Sequence, residues 1–220
     1  MEPILLSWSG GKDSAFALDA LRRSGQYDIL ALLTTVTEGY DRISMHGVRR
    51  ELLHRQARSA GLALEEVWIT RQATNEEYEN QLLALLTRYK ARGVRRVAFG
   101  DLFLEDIRRY REKNLSKVDM EGLFPLWGLP TDELARDFVT RGFAARLVCV
   151  DTAQLDGAFA GRSFDGAFLA DLPASVDPCG EKGEFHTFVS DGPVFAEPVT
   201  YKTGEKVLRG PFAYCDLLPE

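Results

Sequence analysis

Apolar and polar positions follow two different rhythms along this chain, and the change of rhythm marks its organisation. Over residues 1–150, short apolar runs are separated by stretches with apolar positions at helical spacing. Pro3 to Trp8 reads as a buried strand, and Lys12 to Arg23 as a helix that turns Ala15, Phe16, Leu18 and Leu21 inward. Gly25 stands where a helix end favours a left-handed residue. Asp28 to Thr35 is the next strand, Val48 to Ala60 a helix closed by Gly61, and Leu64 to Ile69 a third strand. Asn75 is expected to cap a long helix to Ala91, followed by Gly93 and the strand Arg95 to Phe99. Glu105 to Asn114 and Thr131 to Arg141 read as further helices. Leu123 to Trp127 reads as a short extended segment, and Ala144 to Val150 as a strand.

Strand–helix alternation with short connections predicts an α/β domain over residues 1–150, a parallel sheet with helices on both faces. Such sheets take ligands at the carboxyl ends of their strands, near a switch in strand order. From Asp151 onward the helical rhythm stops and glycine and proline become frequent. Phe185 to Val189 and Val199 to Val207 read as strands, with turns at Asp191-Gly192-Pro193 and Thr203-Gly204. Residues 151–220 are expected to form a smaller α+β unit that packs on the first and completes its active site.

Composition narrows the classes. With 45% hydrophobic residues in 220, the chain can bury the core of one large domain or of a domain with an appendage. A net charge of −6 provides no global field for a polyanion and argues against a nucleic-acid partner. Cys149, Cys179 and Cys215 are far apart and form no C-x-x-C pair. This argues against a disulfide framework and a zinc knuckle, and suits a reducing compartment. No apolar run approaches the length of a membrane span, and the start of the chain has no basic region like that of a signal peptide. The expectation is a cytoplasmic protein without membrane attachment. A homodimer stays open.

The strongest chemical signal is Ser9-Gly10-Gly11-Lys12-Asp13-Ser14, between the first strand and the first helix. Two glycines let backbone N–H groups approach an oxyanion, and the following helix aims its dipole at the same point. Lys12 adds a positive charge, and Ser9 and Ser14 add hydroxyls. The pattern is neither G-x-x-x-x-G-K-[ST] nor G-x-G-x-x-G. Ser-Gly-Gly-Lys-Asp-Ser resembles the PP-loop of the ATP pyrophosphatases, a superfamily that includes argininosuccinate synthetase, GMP synthetase, asparagine synthetase and tRNA thiolases. The resemblance implies that the loop binds the pyrophosphate end of ATP, with Mg2+ assisting, and that ATP is split between its α and β phosphates.

Further segments sharpen the likeness. Ser44-Met45-His46-Gly47, Phe99-Gly100-Asp101, Pro125-Leu126-Trp127-Gly128 and Asp177 through Phe188 (above all Gly183-Glu184-Phe185-His186-Thr187-Phe188) resemble the diphthine–ammonia ligase family and its bacterial relatives over nearly the whole chain. That likeness implies adenylation of a carboxylate, of a small molecule or a protein, followed by amidation with ammonia. It points to the reaction class more than to the acyl substrate.

The expected ATP contacts are Ser7, Ser9, Gly10, Gly11, Lys12, Asp13, Ser14, Thr34, Thr35, His46 and Gly100, with Asp13 and Asp101 toward Mg2+. The expected catalytic set is Lys12, Asp101, Glu184 and His186; Glu105, Arg108 and Arg109 are expected toward the substrate. Bland alternatives stand beside these. Asp101 could be a helix cap, Arg108 and Arg109 could face solvent, and Glu184 with His186 could serve hydrogen bonding around a glycine-rich turn. Trp68 and Trp127 are read as core. Two rival functions remain: a tRNA-modifying thiolase, which would want paired cysteines and a basic surface, and a non-catalytic adenine-nucleotide sensor.

Overall fold

A computed structural model describes residues 1–39, 42–43, 47–70 and 74–220, with only the backbone of Ile43 and Asn75. Among them, β1 (Glu2–Ser7), β2 (Tyr27–Thr37), β4 (Ala63–Ile69), β5 (Arg96–Ala98) and β6 (Glu121–Leu123) run parallel in the order β4-β2-β1-β5-β6. The two-residue β3 (Arg42–Ile43) pairs antiparallel with the end of β2. Strand pleating sends Ile4, Leu6 and Trp8 to one face and Leu5 to the other. A register shift beside Ile4 carries β2 through the same alternation, with Ile29 and Leu32 on the first face and Ala31 and Leu33 on the second. Helices α1 (Lys12–Ser24) and α2 (Arg50–Ser59) cover the first face. Helices α3 (Asn75–Ala91) and α4 (Glu105–Ser116) cover the second. Each fully buried leucine here, such as Leu18 or Leu86, contributes about 1.5–3 kcal/mol by leaving water.

Strand order switches between β1 and β5, whose carboxyl ends carry residues 8–14 and 99–101. The crevice expected of a doubly wound sheet therefore opens beside the Ser9–Ser14 loop.

Two local expectations need correction, at the start of α3 and at Gly204, and the start of the helix after Pro130 shows a further feature. The cap of α3 is Thr74, whose hydroxyl oxygen accepts the Glu77 N–H at 3.2 Å, one residue before Asn75. Helix α5 (Thr131–Thr140) follows Pro130 without a side-chain cap, and the Thr131 hydroxyl donates instead to Asp177 at 2.8 Å. Gly204 lies inside β9 (Tyr201–Arg209), opposite a register shift in β10 (Phe212–Pro219), and the chain reverses at Gly210, φ 57°.

A second sheet, β8-β7-β10-β9, is antiparallel throughout. It comprises β7 (Ala144–Asp151), β8 (Phe185–Asp191), β9 and β10. Strand β7, expected in the parallel sheet, belongs to this one: its apolar pattern specifies burial, and its partners are supplied by later strands. The short α6 (Gly166–Asp171) packs nearby, its Phe168 edge-on to Phe185 at 5.4 Å. Phe16 of α1 meets Phe138 and Phe143 edge-on at 5.9 and 5.8 Å, so the first face and the second sheet share one core. No helix among the described residues is long and apolar enough to cross a membrane.

Candidate functional site

The loop after β1 is held in shape from below. Gly10 takes φ 76°, a conformation L side chains rarely adopt, and a Cβ there would lie 2.6 Å from the Gln56 Oε1. Gln56 is fully buried; its amide donates to the Gly10 carbonyl at 2.9 Å and the Val189 carbonyl at 2.6 Å, and its oxygen accepts the Trp8 indole N–H at 3.1 Å. Val189 N–H also donates to the Gly10 carbonyl at 2.9 Å. Gly11 then caps α1 in extended conformation with no side-chain hydrogen bond. The Lys12 N–H donates to the Thr187 hydroxyl at 3.0 Å, tying the start of α1 to β8.

Above the loop lies a polar cavity of about 240 Å³. Lys12 and Asp13 enter it from α1, Gly100 and Asp101 from the end of β5, and Glu181 from the glycine-rich turn before β8. Lys12 Nζ donates to both Asp13 carboxylate oxygens, at 2.9 and 2.8 Å. Burial opposes the Lys12 charge, yet the Asp13 carboxylate beside it holds the ammonium above its ordinary value. Gly100 has no room for a side chain, because a Cβ would lie 2.7 Å from the Asp13 carbonyl carbon. Glu181 Oε1 accepts the Leu102 N–H at 2.8 Å and so joins the C-terminal turn to the segment after β5. Burial, helped by the Asp13 and Asp101 charges, pushes the Glu181 carboxyl up to about 7.

A second cavity, about 260 Å³ and largely apolar, opens between α3, α4 and the ends of β1, β2 and β5. Ser7, Ser9, Arg111 and His186 border both cavities, while Thr34 and Thr35 line only the apolar one. Burial, with the Lys12 charge adding to it, pushes His186 down to about 4, so it is neutral at pH 7.

The expected residues are thus gathered unevenly. Ser7, Ser9, Gly11, Lys12, Asp13, Ser14, Gly100, Asp101 and His186 meet around the polar cavity, and Gly10 shapes its floor. Glu184 does not line it. It is 1% exposed, and its Oε1 accepts the Asp177 N–H at 3.0 Å, so it braces the turn that presents Glu181. Glu105, Arg108 and Arg109 line neither cavity. Arg108 stacks on Phe124 and Trp127 at 4.8 and 4.7 Å while binding Glu112, and Arg109 pairs loosely with Glu105 at 3.7 Å. Trp127 is therefore a partly exposed platform rather than core, and Trp68 is 38% exposed beneath Arg50. His46 lies outside the described residues.

Arg111 holds the position expected of its neighbours. Its guanidinium reaches both oxygens of Asp101, at 2.6 and 2.9 Å. Arg111, Asn114 and Leu115 share one face of α4 at i, i+3, i+4, and this spacing was a legible signal for them. Gln56 had one as well, since it sits on the apolar stripe of Leu52, Leu53, Ala57 and Ala60. For Glu181 nothing in the spacing separates it from Glu184. Asp13 and Asp101 each face a cation, and among the described residues no three His, Cys, Asp or Glu side chains are placed to hold a metal ion. Asp13 and Asp101 both line the polar cavity, and one or two carboxylates are what a Mg2+ carried on nucleotide phosphates requires of a protein. Burial pushes the Cys149 thiol up to about 11 and the Cys179 thiol up to about 12, which leaves neither as a ready thiolate.

Comparison with known proteins finds two family models that together span most of the chain. Residues 1–121 match the family model of the diphthamide synthase N-terminal domain, and residues 130–218 that of the diphthamide synthase C-terminal domain. The human diphthine–ammonia ligase is 25% identical over 231 residues, 94% of this chain and 85% of that protein. The enzyme of that name from Schizosaccharomyces pombe is 27% identical over 95% of this chain and 38% of its own length. A solved structure of a predicted subunit of tRNA methyltransferase from Methanocaldococcus jannaschii gives a TM-score of 0.44 at 14% identity, covering 66% of this chain and 78% of that one.

Proposed function

The chain belongs to the diphthamide synthase family, and we propose that it is an ATP-dependent amide ligase that adenylates a carboxylate and then amidates it with ammonia. The observation that carries this reading is the meeting of three separate segments over the start of α1: Lys12 and Asp13, Gly100 and Asp101, and Glu181. The carboxylate oxygen attacks the α-phosphorus of ATP, a new O–P bond forms, and pyrophosphate leaves with the electron pair of the broken P–O bond. Charge gathers on the departing pyrophosphate, where the Lys12 ammonium and the start of α1 offset it. Ammonia then attacks the acyl carbon and the C–N bond forms; the acyl C–O bond breaks, AMP leaves with its electron pair, and the nitrogen gives up a proton.

Glu181 is the carboxylate within the cavity whose proton affinity suits taking a proton from ammonium near neutral pH. Arg111, held by Asp101, offers a fixed cation at the border of the two cavities. The acyl substrate is proposed only as a small-molecule or protein carboxylate. The reading carries with it a cytoplasmic enzyme using free ammonia, with Mg2+ arriving on the triphosphate and no step assigned to it.

The buried, protonated cysteines support a ligase over a thiolase. A charged cluster built around Lys12 supports an enzyme over a sensor. The test is product analysis with ATP, ammonium and a cell extract as source of the carboxylate. AMP and pyrophosphate are expected; ADP and phosphate as the products overturn the reading.

A further inference from the structure

The second sheet ends on a strand that neither cavity uses. Strand β9 is nine residues long and pairs only with β10 among the described residues, so the backbone groups along its other side have no strand beside them. Its straightness is interrupted once. Lys206 pairs with Cys215 and Thr203 with Leu217, so Gly204 and Glu205 share the place opposite Asp216. Such a bulge bends the strand that carries it and leaves Glu205 to Arg209 as the regular part of the edge. Within that part Leu208 is 69% exposed. Glu205, Val207 and Arg209 alternate onto one face of the strand, and Glu205 and Arg209 are both exposed and make no ion pair among the described residues.

We propose that two copies of this chain associate edge to edge through Glu205 to Arg209 of β9, antiparallel and centred on Val207. Neighbouring antiparallel strands from identical chains are related by a two-fold axis perpendicular to the sheet, so the residue on the axis faces its own copy. Pairing centred on Val207 uses the whole of residues 205–209 and stops at the bulge. It sets Val207 against the second copy's Val207, and Glu205 against the second copy's Arg209, twice over by symmetry. Lys206 falls opposite the second copy's Leu208, where its stem covers the exposed leucine. Moving the centre by one residue sets Lys206 against Lys206, and by two sets Glu205 against Glu205; both shifts also carry the pairing toward or across the bulge. Backbone shape and charge therefore select the same register. This edge is complementary to itself, which favours a second copy over an extended segment of another protein. The result is one antiparallel sheet continuous through both copies. No residue of β9 lines either cavity, so both sites stay open and the association is independent of the ligase chemistry.

The experiment is sedimentation equilibrium of the intact protein over a range of concentrations at physiological salt. A monomer–dimer equilibrium is expected, of roughly micromolar affinity because the paired stretch is short. Glu205→Arg sets like charges opposite one another at both ends of the pairing and is expected to weaken the dimer at least about tenfold, with the melting temperature of the dilute protein unchanged. Arg209→Glu is expected to act in the same way and serves if Glu205→Arg does not fold. The double exchange, Glu205→Arg with Arg209→Glu, reverses both pairs and is expected to restore the dimer. A wild type that stays monomeric up to roughly 1 mM overturns the proposal and leaves the edge to a segment of a different protein. A dimer that both single variants leave intact overturns it in favour of another surface, and failure of the double exchange to restore the dimer overturns the pairing of Glu205 with Arg209.

Discussion

The buried Gln56 amide donates to the Gly10 carbonyl at 2.9 Å, so the shape of the Ser9–Ser14 loop is set by a helix more than forty residues away. Gln56 also spans to Val189 and accepts from Trp8, which makes it the joint between β1, the loop and β8. Replacing it with Leu leaves the Val189 carbonyl and the Trp8 indole without these partners. The expected loss is about 2–5 kcal/mol of unfolding free energy by urea denaturation. A loss below about 1 kcal/mol would show that the loop supports itself.

The two loop glycines should separate in their effects. Gly10→Ala combines φ 76° with a 2.6 Å approach to Gln56, so it is expected to lower the melting temperature and nucleotide affinity together. Gly11 has φ −90° and ψ 175°, where alanine is unstrained, and it lines the polar cavity. Gly11→Ala is expected to melt like the wild type yet bind ATP more weakly. Equal ATP affinity in that variant would remove the phosphates from this loop.

The neighbouring carboxylates Glu181 and Glu184 offer a sharper contrast. Glu181→Gln keeps an oxygen for the Leu102 N–H but cannot exchange a proton at neutral pH. It is expected to slow AMP formation by roughly 10²-fold or more with ATP affinity retained. Glu184→Ala leaves the Asp177 N–H unpaired and is expected to cost about 1–3 kcal/mol of stability. Should Glu184→Gln slow turnover while Glu181→Gln does not, the two carboxylates exchange roles.

Stability against pH should show two opposed contributions. Glu181 is raised from 4.5 to about 7, so between those values the folded state binds more protons. Its contribution is full below pH 4.5 and is lost as pH rises toward 7. His186 is lowered from 6.5 to about 4, so the unfolded state binds more protons in that window. Its contribution is full above pH 6.5 and is lost as pH falls toward 4. Urea midpoints measured from pH 4 to 8 should therefore rise more steeply with pH in Glu181→Gln and less steeply in His186→Gln. Superimposable profiles for the three proteins would contradict both shifts.

Among the arginines of α4, only Arg111 should matter to chemistry. Arg111→Met leaves the Asp101 carboxylate unpaired at the cavity and is expected to lower pyrophosphate release at least about tenfold. Arg109→Ala, at an exposed and loosely paired position, should stay within about twofold. A pyrophosphate assay on both variants separates them, and the opposite ranking would return the substrate contact to Arg109.

The local elements were legible in the chain because their causes are local. Helical spacing, strand runs and the placement of Gly25 and Gly61 specified most of the α/β order, and Gly10-Gly11 announced the turn between β1 and α1. Partnership was not legible, because it depends on residues far apart in sequence. The apolar pattern of Ala144–Asp151 required burial, but pairing with β8 and β10 put this strand in the second sheet. Glu181 and Glu184 lie three residues apart in one glycine-rich segment. The fold turned one carboxylate into the cavity and buried the other against Asp177, a choice made by the path of the Asp177–Gly183 turn. Helix α4 likewise turned Arg111 and Asn114 inward and left Arg108 and Arg109 outside, because the face that packs on the sheet is chosen by the sheet.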